Sequence, residues 1–217
     1  MPASFTVVCP LSAEASIVPE WKPRVIGAGA SCVVGLRPLA SSECRRILVL
    51  GLAGGLTRSA TRGTAFRIRS VRNHLGELAF RQPDVGCFGV GPDLAEADIA
   101  CVDHVAESPL AKAELAQGSG CQLVDMESAH VAGWCQIQGW EWSMIRVVLD
   151  GADESLPPGI GKWCRADGGM NYGGILLSLL FNPGSIVSIP ALARSRAVAG
   201  RSLRRALGLQ VGVKVRT

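Results

Sequence analysis

Carboxylates at three places break an otherwise apolar chain, and each place could do chemistry. Asp125-Met126-Glu127 ends the apolar approach Leu123-Val124, and Ser128-Ala129 then opens a helical pattern. Asp150 closes the apolar run that begins at Trp142, and Asp153 follows after Gly151-Ala152. Glu14 comes just after the short run Phe5–Cys9. An ionised carboxylate is purely an acceptor, so at a strand end it can take two hydrogen bonds from a vicinal diol such as that of a ribose. A carboxyl at the end of an apolar strand has its pKa raised by burial, which suits a general acid. Each place also has a structural reading. Acids favour the positive end of a helix dipole, and a strand-end Asp caps a turn. Taken singly, each cluster leaves both readings open.

The fourth candidate is Gly51-Leu52-Ala53-Gly54-Gly55. Glycines let backbone N–H groups approach a ligand, and a glycine-rich turn can form an anion-binding nest. The spacing matches neither G-x-x-x-x-G-K-[ST] nor G-x-G-x-x-G, so neither nucleotide fingerprint applies. A tight turn of small residues is the alternative.

These groups must be positioned by short apolar strands that alternate with helical patterns. Phe5–Cys9, Arg46–Leu50, Thr64–Val71, Asp84–Gly91, Asp98–Ala106 and Trp142–Asp150 read as strands, the second entering a glycine-rich turn. Ser12–Val18 reads as a helix start or loop, and Ser31–Ala40 fits helix or strand. Ser108 is a helix N-cap with Pro109 at the first helical position and Gly118 past the end, and the helix opened by Ser128 stops at Gly139. Continuous apolar strands with helices between them define an α/β domain with a parallel or mixed sheet. Ligands of such sheets lie beyond the carboxyl ends of the strands. That rule gathers Glu14, the glycines, Asp103, Asp125, Glu127, Asp150 and Asp153 on one edge.

The 217 residues suit one domain, with 48% hydrophobic and only 18% charged residues, so the chain can bury a large core. Net charge is +4, and the stretch from Arg194 to Arg216 carries seven Lys or Arg and no acid. Such a tail could meet nucleic acid, a membrane surface or simply water. None of the eight cysteines has C-x-x-C spacing and there are three histidines, so a closed zinc site is unsupported and reduced thiols in a cytoplasmic protein are expected. The N-terminus lacks the basic segment of a signal peptide, and Ile175–Phe181 is too short to cross a bilayer.

In combination the motifs are more specific. A strand then Glu14, a strand then Leu52-Ala53-Gly54-Gly55, then Asp125-Met126-Glu127-Ser128, then Leu149-Asp150-Gly151-Ala152-Asp153 resembles the purine nucleoside phosphorylase and nucleosidase superfamily. It is similar to the methylthioadenosine/adenosylhomocysteine nucleosidase branch over Phe5 to about Pro157. The later segment, with Asp153–Pro158, Arg165–Gly168, Ile175–Phe181, Pro183 and Leu192–Leu207, resembles the hopanoid-associated members. The resemblance implies a three-layer α/β/α sandwich around a mixed central sheet, nucleoside phosphorylase-like. It implies cleavage of an N-glycosidic bond that releases adenine, with adenosylhopane as the substrate; a methylthioadenosine, adenosylhomocysteine or futalosine nucleosidase and a non-catalytic nucleoside-binding or membrane-associated relative are the alternatives. By the same resemblance, Asp150 protonates the purine, and Glu14 orients the attacking water. Glu127 holds the ribose hydroxyls with Met126 packed on the sugar, while Ala53 and Gly54 lie near the water or a phosphate. Asp103, His104 and Val105 contact adenine, and Asp125 is local support for the turn. No cofactor or metal is implied; inorganic phosphate is the open co-substrate, with Arg24, Arg58 and Arg62 as candidate holders. Family members commonly build sites at homo-oligomer contacts. The chain departs from the pattern at Leu149, where the family has Ser, and at Leu52, Ser12 and Ala13.

The domain is expected to span 1–190, with a basic C-terminal helix and tail at 191–217. Leu192, Ala199, Leu203 and Ala206 recur at helical spacing, and Arg194, Arg201 and Arg205 form a separate face. Such a stripe can lie peripherally on a lipid surface or pack on the protein's own core. No nucleic-acid partner is expected.

Overall fold

The computed structural model describes residues 5–83, 94–175 and 189–208. Its strands are β1 (Thr6–Cys9), β2 (Arg24–Val25), β3 (Arg46–Gly55), β4 (Ala65–Arg72), β5 (Leu78–Arg81), β6 (Ala95–Cys101), β7 (Leu123–Asp125) and β8 (Glu141–Asp150). The helices are α1 (Ser12–Ala15), α2 (Cys32–Leu36), α3 (Pro109–Ser119), α4 (Ser128–Gln138) and α5 (Ile189–Ala206). All eight strands belong to one mixed sheet.

The apolar runs at β3 and β8 form its spine, paired in parallel from Arg46–Glu141 to Ala53–Val148. Strand alternation sends successive side chains to opposite layers. Ile47, Val49, Met144 and Val148 pack with Leu36 of α2 and Val131, Ala132 and Cys135 of α4. Leu48, Leu50, Ile145 and Val147 pack with Ala199, Leu203 and Leu207 at α5. Two-sided burial explains why these strands read as continuous apolar runs. The three-layer sandwich therefore follows directly from period-2 burial against helices of both layers.

The alternation of elements did not imply that the sheet closes on itself. β8 pairs antiparallel with β4, β4 and β7 each pair parallel with β6, and β7 returns antiparallel to the end of β3 at Gly54–Val124 and Gly55–Leu123. Closure brings the ends of β3, β7 and β8 together. It also corrects the reading of the glycine run. Gly51–Gly55 lies within β3, not in a turn after it, and none of its glycines has positive φ. What the glycines supply is space: a Cβ on Gly55 would stand 2.4 Å from the carbonyl oxygen of Ala60.

Ser108 caps α3 by accepting from the Ala111 N–H, with Pro109 at the first position. The helix ends at Gly120, at φ +66°, and not at Gly118. α4 ends at Gly139, at φ +67°. The ambiguous stretch near Ser31 is helical, as α2 with a 3₁₀ turn on each side. The strand expected over Asp84–Gly91 and the helix expected beyond Ile175 lie outside the described residues.

α5 begins at Ile189, slightly before the expected boundary. Its apolar stripe is part of the core: Ala199 and Leu203 are fully buried, and Leu207 just beyond it is buried as well. Arg194, Arg201 and Arg205 remain exposed. Arg204 instead pairs with Glu20, and Arg196 donates to the carbonyl oxygen of Ala13. The stripe that could have met a lipid surface is thus occupied by the protein itself. No helix among the described residues is long and apolar enough to cross a membrane.

Candidate active site

Glu14 is the third residue of α1, and its short helix shows why an acid is tolerated there. One carboxylate oxygen, Oε2, accepts from the Leu11 N–H at 2.9 Å, as the acid of a capping box does. The other, Oε1, accepts from the Leu52 N–H at 2.7 Å. The side chain is buried. Burial pushes its pKa up, opposed by the guanidinium of Arg146 and by the two N–H groups.

Arg146 was missed by the sequence reading, although it is the only charged residue within the apolar stretch Trp142–Leu149. It sits in mid-β8, fully buried, opposite Gly51 in the register. Nε and Nη2 both donate to Asp125 Oδ2, at 2.9 and 2.7 Å. Nη1 is buried with no hydrogen-bond partner among the described residues. A Cβ on Gly51 would stand 2.1 Å from Nη1 and 3.0 Å from Glu14 Oε1. Gly51 therefore makes room for the guanidinium and leaves Nη1 and Glu14 bordering the same point. Asp125 does more than support its turn. Its Oδ1 accepts from the Ser128 N–H at 3.2 Å and the Ser128 hydroxyl at 2.7 Å, while Oδ2 holds Arg146.

Glu127 occupies the N-cap position of α4, half-buried, and its Oε1 accepts from the Gly29 N–H at 2.8 Å. Burial first, and then the neighbouring Asp125 charge, push its pKa up to about 7. Met126 approaches the same loop, since a Cβ on Gly29 would lie 4.0 Å from Met126 Cε.

Asp150 ends β8. The register shift between Ala53 and Gly54 places Asp150, not Leu149, opposite Gly54. Such a bulge re-aims a side chain at a strand end. A Cβ on Gly54 would stand 3.6 Å from Asp150 Oδ2 and 3.0 Å from Val124 Cγ1. Asp150 is buried, and burial raises its pKa, but its Oδ2 is ion-paired with Lys112 of α3, which lowers it. Lys112 was also missed: in sequence it looks like an ordinary helix-surface lysine, yet it is fully buried. Asp103 and His104 are exposed just past β6, with Val105 half-buried beside Gly161.

Of the phosphate candidates, Arg62 pairs with Glu154, and Arg24 and Arg58 are exposed. Among the described residues no group of three or more His, Cys, Asp or Glu could hold a metal ion. Cys9, Cys32, Cys44, Cys101, Cys121, Cys135 and Cys164 are free, and burial pushes the Cys32 and Cys135 thiols up to about 12. A cavity lined by Phe80, Arg81, Gln136, Trp140 and Trp142 lies at the start of β8, the end opposite Asp150.

The fold is that of the purine nucleosidases. Over 96% of the chain it is similar to the native futalosine hydrolase of Helicobacter pylori strain 26695, covering 98% of that chain with a TM-score of 0.60 at 15% identity. It is also similar to the H. pylori methylthioadenosine nucleosidase, solved as a mutant with 5′-methylthioadenosine in its active site (TM-score 0.58, 15% identity, 96% of this chain and 99% of that one). The S. pneumoniae 5′-methylthioadenosine/S-adenosylhomocysteine nucleosidase, solved with a transition-state inhibitor, gives a TM-score of 0.57 at 12% identity over 94% and 99% of the two chains. No protein-family model and no curated protein sequence matches the chain.

Proposed function

We propose that the protein is a purine nucleosidase that hydrolyses the N-glycosidic bond of a 5′-substituted adenosine and releases adenine. The observation that carries this reading is the paired geometry at Gly51, where Glu14 Oε1 and the unpartnered Nη1 of Arg146 border one point. A water that bridges these two groups, beside the space a Cβ would take, can donate to Glu14 and accept from Arg146 Nη1, which aligns it and prepares its deprotonation. Attack at the anomeric carbon breaks the bond to the purine, the electron pair leaves with the base, and Asp150 supplies or holds the proton on that base. Glu127 takes the ribose hydroxyls, with Met126 against the sugar. Ala53 and Gly54 border the water, and Asp103, His104 and Val105 face the adenine. The reaction consumes water and needs no cofactor.

Hydrolysis is favoured over phosphorolysis by charge. Glu14, Asp125 and Glu127 are the acids that act on Arg146, whose Nε and Nη2 are already held by Asp125. A phosphate dianion entering there would meet carboxylates with one free N–H to receive it. Among substrates, the solved structures of this fold support methylthioadenosine, adenosylhomocysteine or futalosine. They lend nothing to adenosylhopane, which rests on the resemblance of the later segment alone and enters the test as one member of a panel.

The test is adenine release from 5′-methylthioadenosine, adenosylhomocysteine, futalosine and adenosylhopane, with and without phosphate, by wild type and Asp150→Asn. Release without phosphate and a loss of about 10²–10⁴-fold in the variant are expected. A strict phosphate requirement, with a phosphorylated sugar product, refutes the hydrolase reading. Equal rates for wild type and variant remove Asp150 from the mechanism.

A further inference from the structure

Building on the nucleosidase reading, we infer that Lys112 is a positioning residue for Asp150: its buried ammonium clamps one carboxylate oxygen and the loop behind it, so that the other oxygen faces the leaving base. The lysine has three N–H donors, and all three are engaged. They go to Asp150 Oδ2, to the Gly151 carbonyl oxygen at 2.7 Å and to the Glu154 carbonyl oxygen at 2.7 Å. Lys112 therefore has no donor left for a ligand, and its side chain is excluded from solvent. Asp150 Oδ1, by contrast, accepts no hydrogen bond from the described residues. The carboxylate is thus held from one side only.

Such a clamp answers a gap in the sequence. The residue before Asp150 is Leu149, which offers no hydroxyl to orient the carboxylate. α3 supplies a polar partner from outside the strand. Ser108 and Pro109 fix the start of that helix, which sets where Lys112 enters. The bulge at Ala53–Gly54 turns Asp150 to meet it. The other charged groups acting on Asp150 are Glu154, from the loop after β8, and Arg62, from the β3–β4 connection. These two pair with each other, so among the described residues Lys112 is the one charge in direct contact with Asp150. A buried ion pair is weak evidence for stability, since a matched apolar pair often serves as well. Its use is better sought in the ionisation and aim of Asp150.

The test uses the full chain with Lys112→Met, Asp150→Asn and the double variant. Asp150 is titrated by carboxyl ¹³C NMR, its resonance assigned by its loss in Asp150→Asn, and kinetics are run on 5′-methylthioadenosine across pH. Removing the ammonium should raise the Asp150 midpoint by about one unit or more. It should lower kcat on the order of 10²-fold with little change in KM. The limb of the pH–rate profile that Asp150 governs should move to higher pH. The double variant should be no slower than Asp150→Asn alone. An unchanged midpoint, or losses that multiply in the double variant, overturns the proposal and leaves Lys112 as a structural staple. If wild type releases no adenine, the nucleosidase reading fails, and the NMR titration still decides whether Lys112 controls Asp150. Should Lys112→Met not fold, Lys112→Gln, one atom shorter but still an N–H donor without the charge, carries the same readouts.

Discussion

The two buried cations of the site are built in opposite ways. Lys112 gives all three of its donors to the protein and is closed. Arg146 gives Nε and Nη2 to Asp125 and keeps Nη1 unpaired beside Glu14. An unpaired buried N–H costs free energy that a folded protein normally avoids, so a site that keeps one invites a ligand or an ordered water. At the Asp150 end the order is reversed, because there the carboxylate Oδ1 is the open atom. One end of the site is thus an open donor held by closed acids, and the other an open acceptor held by a closed base. On the proposed mechanism, water goes to the first and the purine to the second.

Removing Arg146 should break this comparison most severely. Arg146→Met fills similar space but strands the buried Asp125. Loss of one partner from a buried pair costs about 3–5 kcal/mol. Urea unfolding of wild type and variant should show a loss of that size, and Arg146→Met/Asp125→Asn should recover part of it. Adenine release should vanish in both variants, since neither can orient the water. A variant that keeps its activity would remove Arg146, and with it the open-donor argument.

Glu127 sharpens the comparison on the sugar side. Replacing it by Gln should cost about 1.5–3 kcal/mol of transition-state stabilisation, the range for a hydrogen bond to a charged group. That loss should appear with ribosides. A 2′-deoxy nucleoside should react slowly with wild type and little slower with Glu127→Gln. If the two losses simply add, Glu127 does not hold the 2′-hydroxyl.

The legible parts were those with local causes. Strands β3 and β8 show as unbroken apolar runs because both faces are buried. The caps Ser108, Pro109 and Gly139 are set by local backbone chemistry. Glu14, Glu127 and Asp150 stand out because an acid beside an apolar strand is conspicuous. Arg146 and Lys112 were not legible as site residues because burial of a cation depends on a partner far along the chain. Asp125 lies 21 residues from Arg146, and Asp150 lies 38 from Lys112. Gly51 was read as part of either a nest or a tight turn, when it is a gap for a guanidinium, a difference that needs the β3–β8 register. The α5 stripe fitted a lipid surface as well as a core, and the apolar faces of β3 and β8 decided between them.

The smallest expected effect concerns pH and separates Glu127 from its neighbours. With a folded pKa of about 7 against an ordinary value of 4.5, Glu127 binds its proton more tightly folded than unfolded. A raised pKa contributes stability that is fully present below about 4.5 and is lost as pH rises through about 7. Ligand-free protein should therefore melt at a lower temperature at pH 8 than at pH 5. Glu14 and Asp150 are raised as well and act in the same direction, so the absolute slope belongs to all three. The difference between wild type and Glu127→Gln isolates one of them, because Gln does not titrate. The variant should lose less between the two pH values, by a few degrees, since 1 kcal/mol shifts Tm by about 2–4 °C in a chain of this size. Parallel melting curves for the two proteins across that range would mean that Glu127 is already ionised in the folded state, ready for a diol with no proton to shed.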